Sequence, residues 1–223
     1  MNMENKIRVL IVDDHVLFSR GIKSLLQRHP EFEVVDDVSD GLEGVKRAQS
    51  LRPDVVLLDL HMKGMAGREA VRYISESVPE THVLMLTVSE DTEDLLECLK
   101  NGAAGYLVKN IETEALVDAL HRVARGESVI SPQMTTKLVQ GFRTRGTEEV
   151  APAVEPERLS PREKEIMGRL ARGDTNKEIA RALELAESTV KIHIQNIFKK
   201  LHISSRVQAA LYAVEHGYVA GKT

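Results

Sequence analysis

Five polar residues stand directly after four short apolar runs, and their types suit one kind of reaction. Asp13 and Asp14 follow Ile7–Val12, Asp59 follows Val55–Leu58, Thr87 follows residues 83–86, and Lys109 follows Gly105–Val108. Three neighbouring carboxylates repel one another unless a cation sits among them. Hard oxygen donors that leave part of the shell open suit Mg2+, which keeps waters and takes a phosphate oxygen. A carboxylate can attack phosphorus to give an acyl phosphate. Lys109 and the metal would offset charge on the transferred group, and the Thr87 hydroxyl can donate to it. Each residue alone has a plainer reading. An Asp after a strand often caps the next helix, Thr87 can end a strand, and Lys109 can be a solvated surface charge. The joint spacing carries the chemistry.

Bringing these residues together requires a parallel sheet. The apolar runs at 7–12, 34–38, 55–58, 83–86 and 105–108 are short and rich in Val, Leu and Ile, as strands buried on both faces are. Amphipathic stretches alternate with them. Phe18, Ile22, Leu25 and Leu26 share one helix face, as do Leu116, Leu120, Val123 and Ala124. Five strand–helix units predict an open, doubly wound α/β sheet, flavodoxin-like, with ligands at the carboxyl ends of its strands.

The second half differs. Residues 131–158 collect Pro132, Gly141, Gly146, Pro152, Pro156 and a Thr147-Glu148-Glu149 cluster, which reads as a linker holding at most a short helix near residues 133–142. Beyond it the pattern is purely helical. Ser160-Pro161-Arg162-Glu163 and Thr175-Asn176-Lys177-Glu178 are capping boxes, and further helix starts follow at Glu187-Ser188-Thr189 and Ser204-Ser205. Four short helices predict a small all-α domain. The expected boundaries are 5–128 for the sheet domain, 129–156 for the linker and 157–223 for the helical domain.

Charge separates the same way. Residues 1–130 hold 15 Lys/Arg and 23 Asp/Glu, a net −8, while residues 159–223 hold 11 and seven, a net +4. The basic half is the candidate for a polyanion. Within Ser188–Leu201 the core stripe is Val190, Ile194, Ile197, Phe198 and Leu201, which leaves Lys191, Ile192, Gln195 and Lys199 on another face. An Ile there wants an apolar partner, such as a thymine methyl. Lys191 can reach guanine or phosphate, and Gln195 can read adenine. Lys199, Lys200 and Lys177 suit phosphate. In the last helix Val207, Ala210, Leu211 and Val214 form one stripe, expected to pack on its own domain, and Ala209, Tyr212 and Ala213 form a second. The single Cys98 excludes a disulfide framework or a multi-cysteine zinc site and reads as a buried small hydrophobe. No run reaches the ~20 apolar residues of a membrane span, so a cytoplasmic protein without membrane partners is expected.

Residues 7–125 resemble the receiver domain of two-component response regulators. The resemblance rests on Val12-Asp13-Asp14-His15, Leu57-Leu58-Asp59-Leu60, Gly64-Met65-Ala66-Gly67 and Gly105-Tyr106-Leu107-Val108-Lys109. Residues 159–218 resemble the LuxR-type helix-turn-helix, through Leu159-Ser160-Pro161-Arg162-Glu163, Asn176-Lys177-Glu178-Ile179-Ala180 and Glu187-Ser188-Thr189-Val190-Lys191-Ile192-His193. Together they resemble the NarL/FixJ family, nearest its nitrate/nitrite branch. The resemblance implies Asp59 as phosphoacceptor for a sensor histidine kinase. It implies Mg2+ on Asp14 and Asp59, aided by Asp13 and the backbone carbonyl of His61, and a switch pair of Thr87 and Tyr106 in which Tyr106 rotates inward on modification. It further implies double-stranded DNA read by Ser188, Thr189, Lys191, Ile192 and Gln195, with RNA polymerase as a further partner. The phosphorylated chain would form a homodimer on DNA through Ala209, Tyr212 and Ala213. In the family picture the unmodified receiver masks the recognition helix. The expected molecule is a DNA-binding transcriptional regulator, not an enzyme with its own turnover. One departure is Lys63, where the family usually has Pro. It loosens the loop, adds a positive charge near the site, and bears on the lifetime of the phosphoryl group.

Overall fold

The computed structural model describes residues 6–135, 159–201, 203, 205–216 and 218. The chain divides into two compact units, Met1–Gly146 and Thr147–Thr223.

In the first unit, strand and helix alternate as β1 (Ile7–Val12), α1 (Val16–Leu26), β2 (Phe32–Val38), α2 (Gly41–Leu51), β3 (Val55–Leu58), α3 (Gly67–Ser77), β4 (His82–Thr87), α4 (Thr92–Lys100), β5 (Gly105–Val108), α5 (Thr113–Ala124) and β6 (Val129–Ile130). All strands are parallel, in the order β2-β1-β3-β4-β5-β6. Alternation along each strand divides the apolar side chains between two layers. Val9, Ile11, Leu57, Leu84, Leu86 and Leu107 share one core with Ile22 and Leu26 of α1 and Leu116, Leu120 and Val123 of α5. The opposite residues, Leu10, Val12, Val56, Leu58, Met85 and Tyr106, are equally buried, and α2, α3 and α4 pack on that side. The unbroken apolar runs of β3 and β5 follow from this double burial.

The sheet has six strands where the sequence pattern gives five. The sixth lies inside the stretch read as linker, pairing Val129 with Gly105 and Ile130 with Tyr106. Gly126, at φ +77, turns the chain back after α5. Two residues are too few to show a period, so the pattern missed the strand. Of the expected linker helix, residues 132–135 are helical, and the remainder of the linker lies outside the described residues. Cys98 is buried on α4, and burial pushes its thiol up to about 12.

The second unit contains α6 (Pro161–Leu170), α7 (Asn176–Leu183), α8 (Glu187–Leu201) and α9 (Arg206–Glu215). Both expected capping boxes form, Ser160 with Glu163 and Thr175 with Glu178. A third reciprocal cap joins Ser205 and Gln208. Helix α7 ends at Glu184 in the left-handed region, φ 54, and three residues later α8 begins, a helix-turn-helix. Val190, Ile194, Ile197 and Leu201 enter the core as expected, beside Ile166, Met167, Leu170 and Ile179. Among the described residues no helix is long and apolar enough to cross a membrane.

Candidate functional site

The parallel topology gathers the carboxyl ends of β1, β3 and β5, the last across β4, at one edge of the sheet, and with them Asp13, Asp14, Asp59 and Lys109. Lys109 Nζ lies 2.8 Å from both Asp13 Oδ2 and Asp59 Oδ2. Its other flank is covered by Phe18, with Nζ 4.7 Å from the ring centroid, a cation–π contact. Asp13 and Asp59 are almost fully buried, so one ammonium is shared by two desolvated carboxylates. Backbone donors hold the remaining oxygens. Asp13 Oδ1 accepts from His15 N–H at 2.9 Å, Asp59 Oδ1 from Leu60 N–H at 2.7 Å, and Asp14 Oδ2 from Lys63 N–H at 3.4 Å. Asp14 Oδ1 is shielded from solvent yet accepts no hydrogen bond. A buried carboxylate oxygen without a donor is costly unless a cation completes it. Among the described residues, Asp13, Asp14, His15 and Asp59 form the group able to hold a metal ion, with ligand atoms within 4.8 Å of one another. The donor set fits a hard divalent cation.

His15 was not singled out from the sequence, because nothing in the spacing aims its ring at the acids. Its Nδ1 lies 3.1 Å from Asp14 Oδ1, 3.4 Å from Asp13 Oδ1 and 3.7 Å from Asp59 Oδ2. Phe18 was read only as part of a core stripe, and its ring also covers Lys109.

The β3–α3 loop is packed tightly. A Cβ on Gly67 would lie 2.1 Å from the Asp59 carbonyl oxygen, and one on Gly64, at φ +79, would lie 2.6 Å from Asp40 Oδ2. Lys63 is exposed on this loop, as is His61.

Thr87 is buried at the end of β4, its Oγ1 accepting the Ser89 N–H at 3.2 Å. Tyr106 is fully buried, and its hydroxyl donates to the Ser89 carbonyl at 3.2 Å. Burial raises the phenol's pKa, partly opposed by that hydrogen bond. The inward position expected only on modification is therefore already occupied. Ser89 Oγ in turn donates to Asp94 Oδ2 at 2.6 Å. Ser89 thus links both predicted switch residues to α4, a role no sequence signal marked.

On the helical unit, Lys177, Ser188, Lys191, Ile192, Gln195 and Lys199 are exposed, and Thr189 is half-buried. Ile192 is 58% exposed, one of six large apolar side chains so placed among the described residues. Lys200 instead pairs with the buried Glu163, 2.9 Å apart, so its charge serves the domain's own packing. Of the stripe on α9 expected to pack on its own domain, Val207 is buried as expected, the side chain of Val214 lies outside the described residues, and the rest differs. Ala209 and Ala213 are fully buried in the unit's core, with Tyr212 packed against it, while Ala210 and Leu211 are half-buried. Alanine is small enough to suit either face, and the α6–α9 approach selects the Ala209/Ala213 side. Tyr212 stacks on His216, centroids 3.9 Å apart.

The model of the response regulator receiver domain matches residues 9–121, and that of the luxR family of bacterial regulatory proteins matches residues 157–213. The nitrate/nitrite response regulator protein NarL of Escherichia coli (strain K12) is 39% identical over 213 residues, covering 95% of this chain and 97% of that protein. The oxygen regulatory protein NreC of Staphylococcus carnosus (strain TM300) is 38% identical over 211 residues, covering 94% and 97%. The crystal structure of the response regulator ChrA, from a heme-sensing two-component system, is similar with a TM-score of 0.52 and 32% identity, over 96% of this chain and 98% of that one.

Proposed function

Because the chain belongs to the two-component response regulators that join a receiver to a LuxR-type DNA-binding domain, we propose that it is a transcriptional regulator switched by a phosphoryl group on Asp59. The observation that carries this reading is the ammonium of Lys109 held 2.8 Å from both Asp13 and Asp59. It stands where charge would develop on an acyl phosphate. The donor is the phosphohistidine of a sensor histidine kinase. An Asp59 carboxylate oxygen attacks phosphorus, the new O–P bond forms as the N–P bond breaks, and the imidazole leaves with the electron pair. Mg2+, on Asp13, Asp14, Asp59 and the His61 carbonyl, would supply the positive charge that lets a dianionic group approach three carboxylates. Asp59 is an acceptor, with no turnover role.

Thr87 can keep accepting from Ser89 while its own hydrogen turns to a phosphoryl oxygen, since a hydroxyl both donates and accepts. With Tyr106 already inward, the change falls on the Thr87–Ser89 segment and on α4 behind it. Lys191, Ile192, Gln195, Ser188 and Thr189 read bases in the major groove, and Lys177 and Lys199 hold phosphates. Two copies joined through α9 place two recognition helices about 34 Å apart, one turn of DNA. With Ala209 and Ala213 buried, Tyr212 and its half-buried neighbours Ala210 and Leu211 are the residues offered to the second copy. The protein acts in the cytoplasm, where RNA polymerase is the downstream partner, and the names of its relatives favour nitrate, nitrite or other respiratory control.

DNA binding and sedimentation of wild type and Asp59→Ala, each with and without Mg2+ and beryllofluoride, test the reading. Only wild type should change its assembly and DNA affinity on treatment. Equal behaviour of both proteins in all conditions would mean that the receiver mediates contacts without being modified.

A further inference from the structure

We propose that His15 makes the acidic pocket a mixed nitrogen–oxygen site, binding divalent transition ions such as Ni2+, Co2+ or Zn2+ with the imidazole as a direct ligand. This rests on the reading of the pocket as a cation site and adds a residue outside the ligand set that the family resemblance implies.

The argument is geometric. Two donors on adjacent corners of an octahedral ion, each at about 2.1 Å, lie about 3.0 Å apart. His15 Nδ1 stands 3.1 Å from Asp14 Oδ1, 3.4 Å from Asp13 Oδ1 and 3.7 Å from Asp59 Oδ2, near the spacing of ligands around one ion. The nearest of these oxygens, Asp14 Oδ1, is shielded and accepts no hydrogen bond; its contact with Nδ1 is an ion pair when the ring is protonated, and a divalent ion seated among these atoms takes the place of that proton. The ring is aimed by its own backbone. The His15 N–H donates to Asp13 Oδ1 at 2.9 Å, which fixes the loop whatever the side chain is. The imidazole caps nothing on α1 and is 63% exposed, so removing it takes away no helix cap and no core packing.

Ligand chemistry then sets the class of ion. Carboxylates alone suit Mg2+, whereas imidazole favours nickel, zinc and their neighbours, and affinity for nitrogen sites rises toward the end of the series. A bound transition ion therefore competes with Mg2+ for the same pocket.

Pulsed electron paramagnetic resonance of Mn2+ bound to the full-length chain reports directly on a coordinated nitrogen. The expected result is 14N coupling in wild type and its absence in His15→Ala. Calorimetry should show Ni2+ affinity falling about tenfold or more in that variant, with Mg2+ affinity held within about twofold because oxygen donors set it. The proposal is overturned if wild type lacks 14N coupling while still binding Mn2+ and Mg2+, if the coupling persists in His15→Ala, or if Ni2+ and Mg2+ affinities fall together. Failure of the pocket reading itself looks different: wild type then binds none of the three ions, and the proposal falls with it.

Discussion

Lys109 carries more of the receiver than its single charge suggests. Its ammonium offsets two buried carboxylates at once, and the Phe18 ring packs against it. Removing one partner of such a group leaves buried charge uncompensated, at about 3 kcal/mol or more. Lys109→Met should therefore lower the thermal stability of metal-free protein by about that amount, and Mg2+ should restore part of it by replacing the lost charge. Thermal unfolding with and without Mg2+ checks both halves; a variant as stable as wild type without metal contradicts the shared role. Glu163 does comparable work in the helical unit. Burial acts to raise its pKa, but hydrogen bonds from Lys200 and Ser160 together hold it below the usual carboxylate range. A carboxyl depressed by folding adds stability above its unfolded value, about 4.3, and that contribution is lost as pH falls through the lowered folded value. Amide exchange of α6 in the full-length chain should be slower in wild type than in Glu163→Gln at neutral pH, with the gap closing in acid.

At the scale of elements, the start of α3 is the tightest joint. Gly67 meets the Asp59 carbonyl so closely that any side chain must move backbone. Gly67→Ala should cost about 1–3 kcal/mol and displace Asp59, lowering the response to beryllofluoride as well as stability. A variant that loses stability but responds fully would separate the joint from the site. This contact also marks how far the sequence could be read. The strand ends announce Asp13, Asp14, Asp59 and Lys109, because a parallel sheet gathers whatever follows its strands. The core stripe of α8 is legible because large apolar residues recur at helical spacing. The buried side of α9 is not, since Ala209, Ala210 and Ala213 carry almost no pattern. Nor are His15 and Ser89, whose roles come from where a ring or a carbonyl points once the loops have closed. The six-stranded edge was hidden for a third reason: β6 is held by its partner β5 and not by any periodicity of its own.

Across the whole molecule, charge separates the two tasks. The acidic receiver concentrates anions around a cation site, and the basic unit presents exposed Lys177, Lys191 and Lys199. DNA affinity should fall steeply with salt, as each neutralised phosphate releases counterions. Lys199→Ala should weaken binding to all sequences alike and reduce the salt slope by about one, whereas Ile192→Ala or Gln195→Ala should relax sequence preference at nearly unchanged slope. Binding isotherms on specific and random DNA across a salt series distinguish the two classes, and a preference lost with Lys199 would reverse their assignment.

The edge strand β6 has a mechanical meaning. Ser131 N–H donates to the Tyr106 carbonyl at 3.0 Å, and Ile130 is in register with Tyr106. The segment that follows α5 is thus riveted to the strand that bears the buried phenol, so the last described stretch of the first unit leaves the sheet from a fixed point. A displacement of β5 at Tyr106 therefore carries the Ile130–Ser131 peptide with it, and a pull on that peptide is felt first at Tyr106.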